Sequence, residues 1–244
     1  MLAKRWRIGW QPMGGRLVNE ILRMLRDRDA PRVLTTAMIQ KLLDQPRATV
    51  GRAIRKAIDL ELLAPVRQGV FLNNMALPSP KPAEAAGFVR TGAVVSLQTV
   101  LGDSAVLNNP TPDVFCVLSM DAPGTDSGAV QSPGGPRFIF RRMAPGRFNA
   151  GSVADRYVAG LPYLRATPER ALLDWIALGA SPHSSTTPPP AHDIDIAMLD
   201  GDRMSRLADA MDLREDLERF VDASRASQSP VDDSYAIAGM GMGI

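Results

Sequence analysis

The chain is poor in the side chains that most often carry chemistry. Its 244 residues include one cysteine, Cys116, two histidines, His183 and His192, and four lysines, at 4, 41, 56 and 81. A single cysteine excludes an intrachain disulfide and any cysteine-based metal cluster. The lack of lysine after position 81 excludes a mechanism that needs one in the rear two-thirds. Both histidines flank a proline-rich stretch, ASPHSSTTPPPAH at 180–192, a poor mount for a general base. No serine-nucleophile motif and no Walker-type phosphate loop is present. No apolar run approaches the roughly 18–20 residues of a membrane span. The first ten residues, MLAKRWRIGW, carry charge but no apolar core of a secretory signal. The expectation is a cytoplasmic chain with no membrane partner.

Two remaining candidates for chemistry read as structural. Cys116 lies inside an apolar run and behaves as a small buried hydrophobe. Asp193, Asp195, Asp200 and Asp202 cluster in DIDIAMLDGD, but their spacing departs from that of a calcium-binding loop, and they read as solvated turn acids. A magnesium- or manganese-dependent nucleic-acid-processing site on Asp193 and Asp195 is the enzymatic alternative. The preferred reading has no catalytic residue, no metal ligand and no cofactor, and is not an enzyme.

Charge is present, and it is unevenly placed. Residues 1–75 hold 14 Lys/Arg against 6 Asp/Glu, a net +8, while residues 153–244 hold 8 against 15, a net −7. The middle is nearly neutral at +1. A chain basic at one end and acidic at the other invites a polyanion at the basic end and a different partner at the other.

The basic end has the pattern of a winged helix-turn-helix. Leu17, Ile21, Leu22 and Leu25 recur at helical spacing over 17–27. Asp29-Ala30-Pro31 interrupts it. A second helix is predicted at 36–44, capped by Thr35 or Thr36, with Met38, Ile39, Leu42 and Leu43 inward. After Gln45-Pro46 a third helix is predicted at 47–61, with Val50, Ile54, Ala57 and Ile58 inward. Its other face carries Arg47, Thr49, Arg52, Arg55 and Lys56, and no acidic residue occurs between 45 and 58. The run LLAPVRQGVFLN at 62–73 then predicts a hairpin turning at Gly69. The third helix is the natural recognition helix: Arg47, Thr49 and Arg52 would approach bases in the major groove, and Arg55, Lys56 and the wing residue Arg67 would contact phosphates. The alternative is a solvated cationic face on a protein-binding winged helix. Lys4, Arg5, Trp6, Arg7 and Trp10 read equally as a groove-tracking arm or as a partly ordered terminus.

The fold class expected is therefore mixed α/β: an N-terminal winged helix-turn-helix at 1–76, a proline-rich linker at 77–82, a larger α+β domain at 83–225, and a disordered tail at 226–244. Within the larger domain the pattern predicts a helix at 93–106, strands at 113–120, 136–143 and 158–165, a mobile loop at 122–136, a helix at 166–179 and acidic helices over 193–224. The helix at 166–179, ATPERALLDWIALG, has the sharpest start, with Thr167 as N-cap, Pro168 at the first helical position and Glu169 in the first turn.

Residues 17–73 and 93–178 together resemble the AbiEi family of antitoxins from type IV toxin–antitoxin systems. The residues that carry the resemblance are the strand Gly-Val-Phe-Leu that ends the winged helix, the segment GAVVSLQTVLG at 92–102 and, most specifically, GLPYLRATPERALLDWIALG at 160–179. The loop at 122–136 is longer and richer in Gly and Pro than the family pattern, and the chain after 226 has no counterpart in it. The resemblance implies a winged helix that binds double-stranded operator DNA and represses its own operon, and a rear domain that counteracts a nucleotidyltransferase toxin. It carries over no functional residue in the rear domain. The competing expectation is a stand-alone winged-helix regulator whose C-terminal domain senses a small ligand. The sequence leaves the oligomeric state open.

Overall fold

The computed structural model describes residues 13–122 and 127–228. They form a mixed α/β protein with two separate sheets. The chain divides into two compact units built from discontinuous segments. The first comprises described residues up to 95, 112–144 and 158–165; the second comprises 96–111, 145–157 and described residues from 166 onward. The expected linker, 77–82, lies inside the first unit.

The first unit begins with α1 (Met13–Leu25), β1 (Val33–Thr35), α2 (Thr36–Leu43), α3 (Arg47–Asp59), β2 (Leu63–Arg67) and β3 (Val70–Asn73). The three strands form an antiparallel sheet in the order β1-β3-β2. Thr35 caps α2, its Oγ1 accepting a hydrogen bond from Met38 N at 3.2 Å, as the sequence suggested. Gly69 turns the β2–β3 hairpin at φ +78°, a value that costs glycine little. Its carbonyl accepts from Thr36 N at 3.0 Å, tying the hairpin turn to the start of α2. The core unites Ile21 and Leu25 of α1, Leu34, Ile39, the inner face of α3, Leu63 and Phe71.

Two expectations for this region need correction. Leu42 is 55% exposed rather than inward, because Ile39 alone fills the buried position on the short α2. The strand β1 has no signature in the sequence. Three residues make no pattern of their own, and Val33–Thr35 become a strand by pairing with β3.

After a 3-10 turn (Pro82–Ala85) and α4 (Ala86–Val89), the first unit adds β4 (Val94–Val95), β5 (Val114–Ser119), β6 (Gly128–Gln131) and β7 (Arg137–Met143). These form a second sheet in the order β4-β5-β7-β6, in which β5 and β7 run parallel and the outer pairs antiparallel. Phe138, Phe140, Cys116 and Leu118 are fully buried on the central strands. A half-buried ion pair ties Arg32 to the 78–84 segment. Arg32 donates from Nε and Nη2 to the Glu84 carboxylate at 2.7 and 2.9 Å, and from Nη1 to Pro78 O at 2.7 Å. Burial alone would raise the Glu84 carboxyl, but hydrogen bonds from Arg32 and from Lys81 N, with the Arg32 charge, hold it below the ordinary carboxylate range.

Three further predictions are revised here. The predicted helix 93–106 is confined to Leu97–Asp103, and Val94 and Val95 are strand. The predicted mobile loop 122–136 contains β6, which alternates half-buried and exposed and is held by its ladder to β7 rather than by its own apolar side chains. The predicted strand 158–165 is a loop. Val158 N donates to Arg165 O and Arg165 bridges Val95, while Leu161 and Leu164 are 40% and 48% exposed.

The second unit is helical: α5 (Leu97–Asp103), α6 (Pro145–Phe148), α7 (Val153–Arg156), α8 (Pro168–Ala180), α9 (Gly201–Met211) and α10 (Arg214–Gln228). The buried α8 organises it. Thr167 caps α8 by accepting from Arg170 N at 3.3 Å, and its hydroxyl donates to Asp155 O at 2.7 Å. Arg170 and Asp174, one turn apart, are both buried and pair at 2.7 Å. Arg170 also donates to Ala150 O, Arg147 O and Phe148 O, and Ser96 Oγ donates to the other Asp174 oxygen at 2.7 Å. One guanidinium thus satisfies three carbonyls of the 147–150 turn. Glu169 accepts from Asp200 N and Arg203 Nη1, so it acts on the start of α9 as well as on its own helix. The helix α10 extends to Gln228, beyond the expected start of the tail at 226. The tail from 229 and the proposed N-terminal arm with Lys4, Arg5, Trp6, Arg7 and Trp10 lie outside the described residues.

Candidate nucleic-acid interface

The spacing of α3 makes it amphipathic. Val50, Ala53, Ile54 and Ala57 recur at three- and four-residue intervals and are buried. The same period sends Arg47, Arg52, Arg55 and Lys56 to solvent, where all four are exposed. None of these four side chains hydrogen-bonds or ion-pairs with another described residue. Three arginines and a lysine along one helix, with no acidic residue in its first turn and Asp59 at its end as its one acid, create a local excess of positive potential.

The turn into α3 supports this arrangement. Asp44 ends α2 in the left-handed conformation at φ 47°, which redirects the chain sharply before Gln45-Pro46. Pro46 supplies no side-chain cap, and its carbonyl receives both Thr49 N and Val50 N, at 2.9 and 3.1 Å. Those two N–H groups are thus satisfied within the chain, and Arg47 stands at the start of the helix, the end that favours anionic oxygen.

The remaining two predicted residues are placed differently. Thr49 is half-buried on the flank of α3. Arg67, at the end of β2, is exposed, but its Nη1 donates to Val89 O at 2.6 Å. Part of its guanidinium is thereby committed to the protein's own backbone.

The sequence reading missed two residues on this face. Arg47, Ala48, Gly51, Arg52 and Arg55 line one shallow, open depression along α3. Ala48 and Gly51 form its floor between the cations. The available signal was a glycine in the middle of a helical pattern, where it costs ~0.8–1.0 kcal/mol relative to alanine. A second open depression, lined by Ala37, Gln40, Lys41, Asp44, Gln45 and Pro46, lies on α2 and the turn that leads into α3.

Three of the four clustered aspartates have structural partners. Asp195 accepts from Ala197 N, Asp200 accepts from Arg203 N to cap α9, and Asp193 accepts from Asn109 Nδ2 at 3.0 Å. Among the described residues no group of three or more His, Cys, Asp and Glu side chains is arranged to hold a metal ion. Cys116 is fully buried, and burial pushes its thiol far above the ordinary range, so it offers no thiolate. Among the described residues no helix is long and apolar enough to cross a membrane.

No family model and no curated protein matches the chain. Its fold, however, is similar to that of a solved structure, the Rv2827c protein from Mycobacterium tuberculosis. The match has a TM-score of 0.51 at 13% identity and covers 88% of this chain and 83% of that one. At that identity the likeness shows the fold alone. The chain therefore shares an α/β architecture with a protein of comparable extent, and its chemistry has to be argued from its own side chains.

Proposed function

We propose that this protein is a sequence-specific double-stranded DNA-binding repressor whose first three helices and β2–β3 hairpin act as a winged helix-turn-helix. The observation that carries the reading is the exposed cationic face of α3, with Arg47, Arg52, Arg55 and Lys56 free of partners among the described residues. A helix of this kind fits the major groove, where arginine pairs with guanine O6 and N7 through two hydrogen bonds. On this reading Arg47, Thr49 and Arg52 meet base edges, while Arg55, Lys56 and Arg67 meet phosphates. Arg67 serves as a tethered phosphate contact, held in place by Val89 O.

The resemblance to the AbiEi antitoxins extends the proposal. The protein would repress its own operon and, through its rear half, counteract a nucleotidyltransferase toxin, acting in the cytoplasm as a binding protein and not as an enzyme. The net charge of −7 over 153–244 suits a basic, nucleic-acid-handling partner.

Duplexes enriched by the native chain from a random-sequence pool test the DNA half. R52A should weaken binding to the enriched site by ~1–3 kcal/mol and relax preference at one base pair, leaving the others. An R52A variant that binds the site with native affinity and selectivity refutes the recognition-helix assignment. For the antitoxin half, co-expression with the product of the neighbouring gene should relieve that product's toxicity. A neighbouring product that is no nucleotidyltransferase, or a toxicity that persists, refutes it.

A further inference from the structure

Two glycines inside helices have a reason within the protein. At Gly102 of α5 a Cβ would lie 2.6 Å from Pro110 Cβ, and at Gly179 of α8 it would lie 2.6 Å from the Pro188 Cα. Both glycines exist because another segment of the chain packs against them. Gly51 of α3 has no such neighbour; nor have Gly87, Gly146 and Gly201, but those lie in four-residue helices or, for Gly201, at the first position of α9, whereas Gly51 sits inside a thirteen-residue helix. A Cβ there would meet nothing within 4 Å, and its backbone is not in the left-handed region. Alanine would fit that space and would make a better helix.

The surroundings of Gly51 indicate what uses the gap. It lies one turn from both Arg47 and Arg55, and with Ala48 it floors the open depression those arginines line with Arg52. The three guanidinium groups stand on long side chains beside a floor with almost no side chain. A neutral protein surface gains nothing from that combination. A rigid polyanion with a narrow ridge does, because its charged edge can sit on the helix backbone while arginines reach past it on both sides. Glycine is the residue that permits close approach of backbone to a ligand.

We propose that Gly51 is the close-approach point of α3, where one wall of a DNA groove comes into van der Waals contact with the helix backbone. Gly51 sets the depth to which α3 enters, and so the reach of Arg47, Arg52 and Arg55. This inference rests on the DNA-binding reading and adds a positioning residue that has neither charge nor side chain.

The test is a pair of variants, G51A and G51L, measured against the duplex enriched on the native chain. Both retain every cation. G51A should raise the thermal unfolding midpoint and yet weaken duplex binding. G51L should weaken it by about tenfold, equivalent to ~1.4 kcal/mol. Loss of folding cannot mimic a more stable variant that binds less well, and G51A alone carries the test if G51L misfolds. Native affinity in G51A and in folded G51L overturns this assignment and leaves the DNA-binding reading standing. A native chain that binds no duplex overturns both.

Discussion

The substitution Arg170→Met removes a guanidinium that hydrogen-bonds α8 to the 147–150 turn. In the native chain the Arg170 guanidinium pairs with Asp174 and donates to Ala150 O, Arg147 O and Phe148 O, and both members of the ion pair are about 3–4% exposed. Methionine fills most of the same volume, so the change isolates the polar contribution. It leaves the Asp174 carboxylate buried with the Ser96 hydroxyl and removes the Arg170 donors from three carbonyls. Removing one member of a buried pair typically costs ~3–5 kcal/mol, because the survivor stays buried without compensation. Against a total stability of about 5–15 kcal/mol for a domain, that is a large share. Urea unfolding followed by circular dichroism reads the loss as a lower midpoint at constant slope. The double variant R170M/D174L removes both charges and should recover much of the loss, since replacing a buried pair by apolar groups is often near neutral. A loss below ~1 kcal/mol, the range of exposed ion pairs, would refute the claim that this pair organises the second unit.

Three other interactions set measurable outcomes. The Glu84 carboxyl sits below its ordinary value, so its contribution is present above the ordinary carboxylate range and is lost as pH falls through the depressed value. Acid titration of stability should therefore show a steeper drop in the native chain than in E84Q, which should also lose ~1–2 kcal/mol at neutral pH. Equal acid sensitivity of the two would contradict the role of the Arg32–Glu84 pair. Gly179→Ala should destabilise by ~1–3 kcal/mol, because the new Cβ meets backbone of Pro188 rather than a movable side chain; unchanged thermal unfolding would refute that packing argument. For Arg67→Ala we expect a smaller loss of duplex affinity than for Arg52→Ala, since one Arg67 nitrogen already serves Val89 O; equal losses in a titration would show that the tether is not kept on DNA.

Where the fold was legible, the chain signalled it locally. The Thr35 and Thr167 caps, the proline at the first position of α8, the apolar run of β5 and the Phe138–Phe140 core of β7 each mark an element without reference to distant residues. What escaped was decided by partners far along the chain. Residues Val94–Ser96 carry the apolar pattern of a helix start, yet Val94 and Val95 pair with β5 and Ser96 donates to Asp174, 78 residues away. The strand β6 is hidden in a Gly- and Pro-rich stretch because its neighbour supplies the ladder. The candidate interface follows the same division. Arg47, Arg52, Arg55 and Lys56 were readable because the helical period that groups Val50, Ile54 and Ala57 on one face leaves these four off it. That Thr49 is half-buried, that Arg67 reaches Val89 O, and that Gly51 faces open space depend on tertiary packing, and no periodicity reports them. The buried Arg170 and Asp174 were missed for a related reason. A charged pair one turn apart reads as a solvated helix face until the surrounding segments enclose it.

The central claim is that the outward cations of α3 neutralise DNA phosphates, and the salt dependence of duplex binding measures that directly. The logarithm of the association constant should fall steeply with the logarithm of salt concentration, and R55A/K56A should have a slope shallower by about 2, one for each phosphate that no longer meets a cation. Superimposable slopes for the native chain and R55A/K56A would contradict the account.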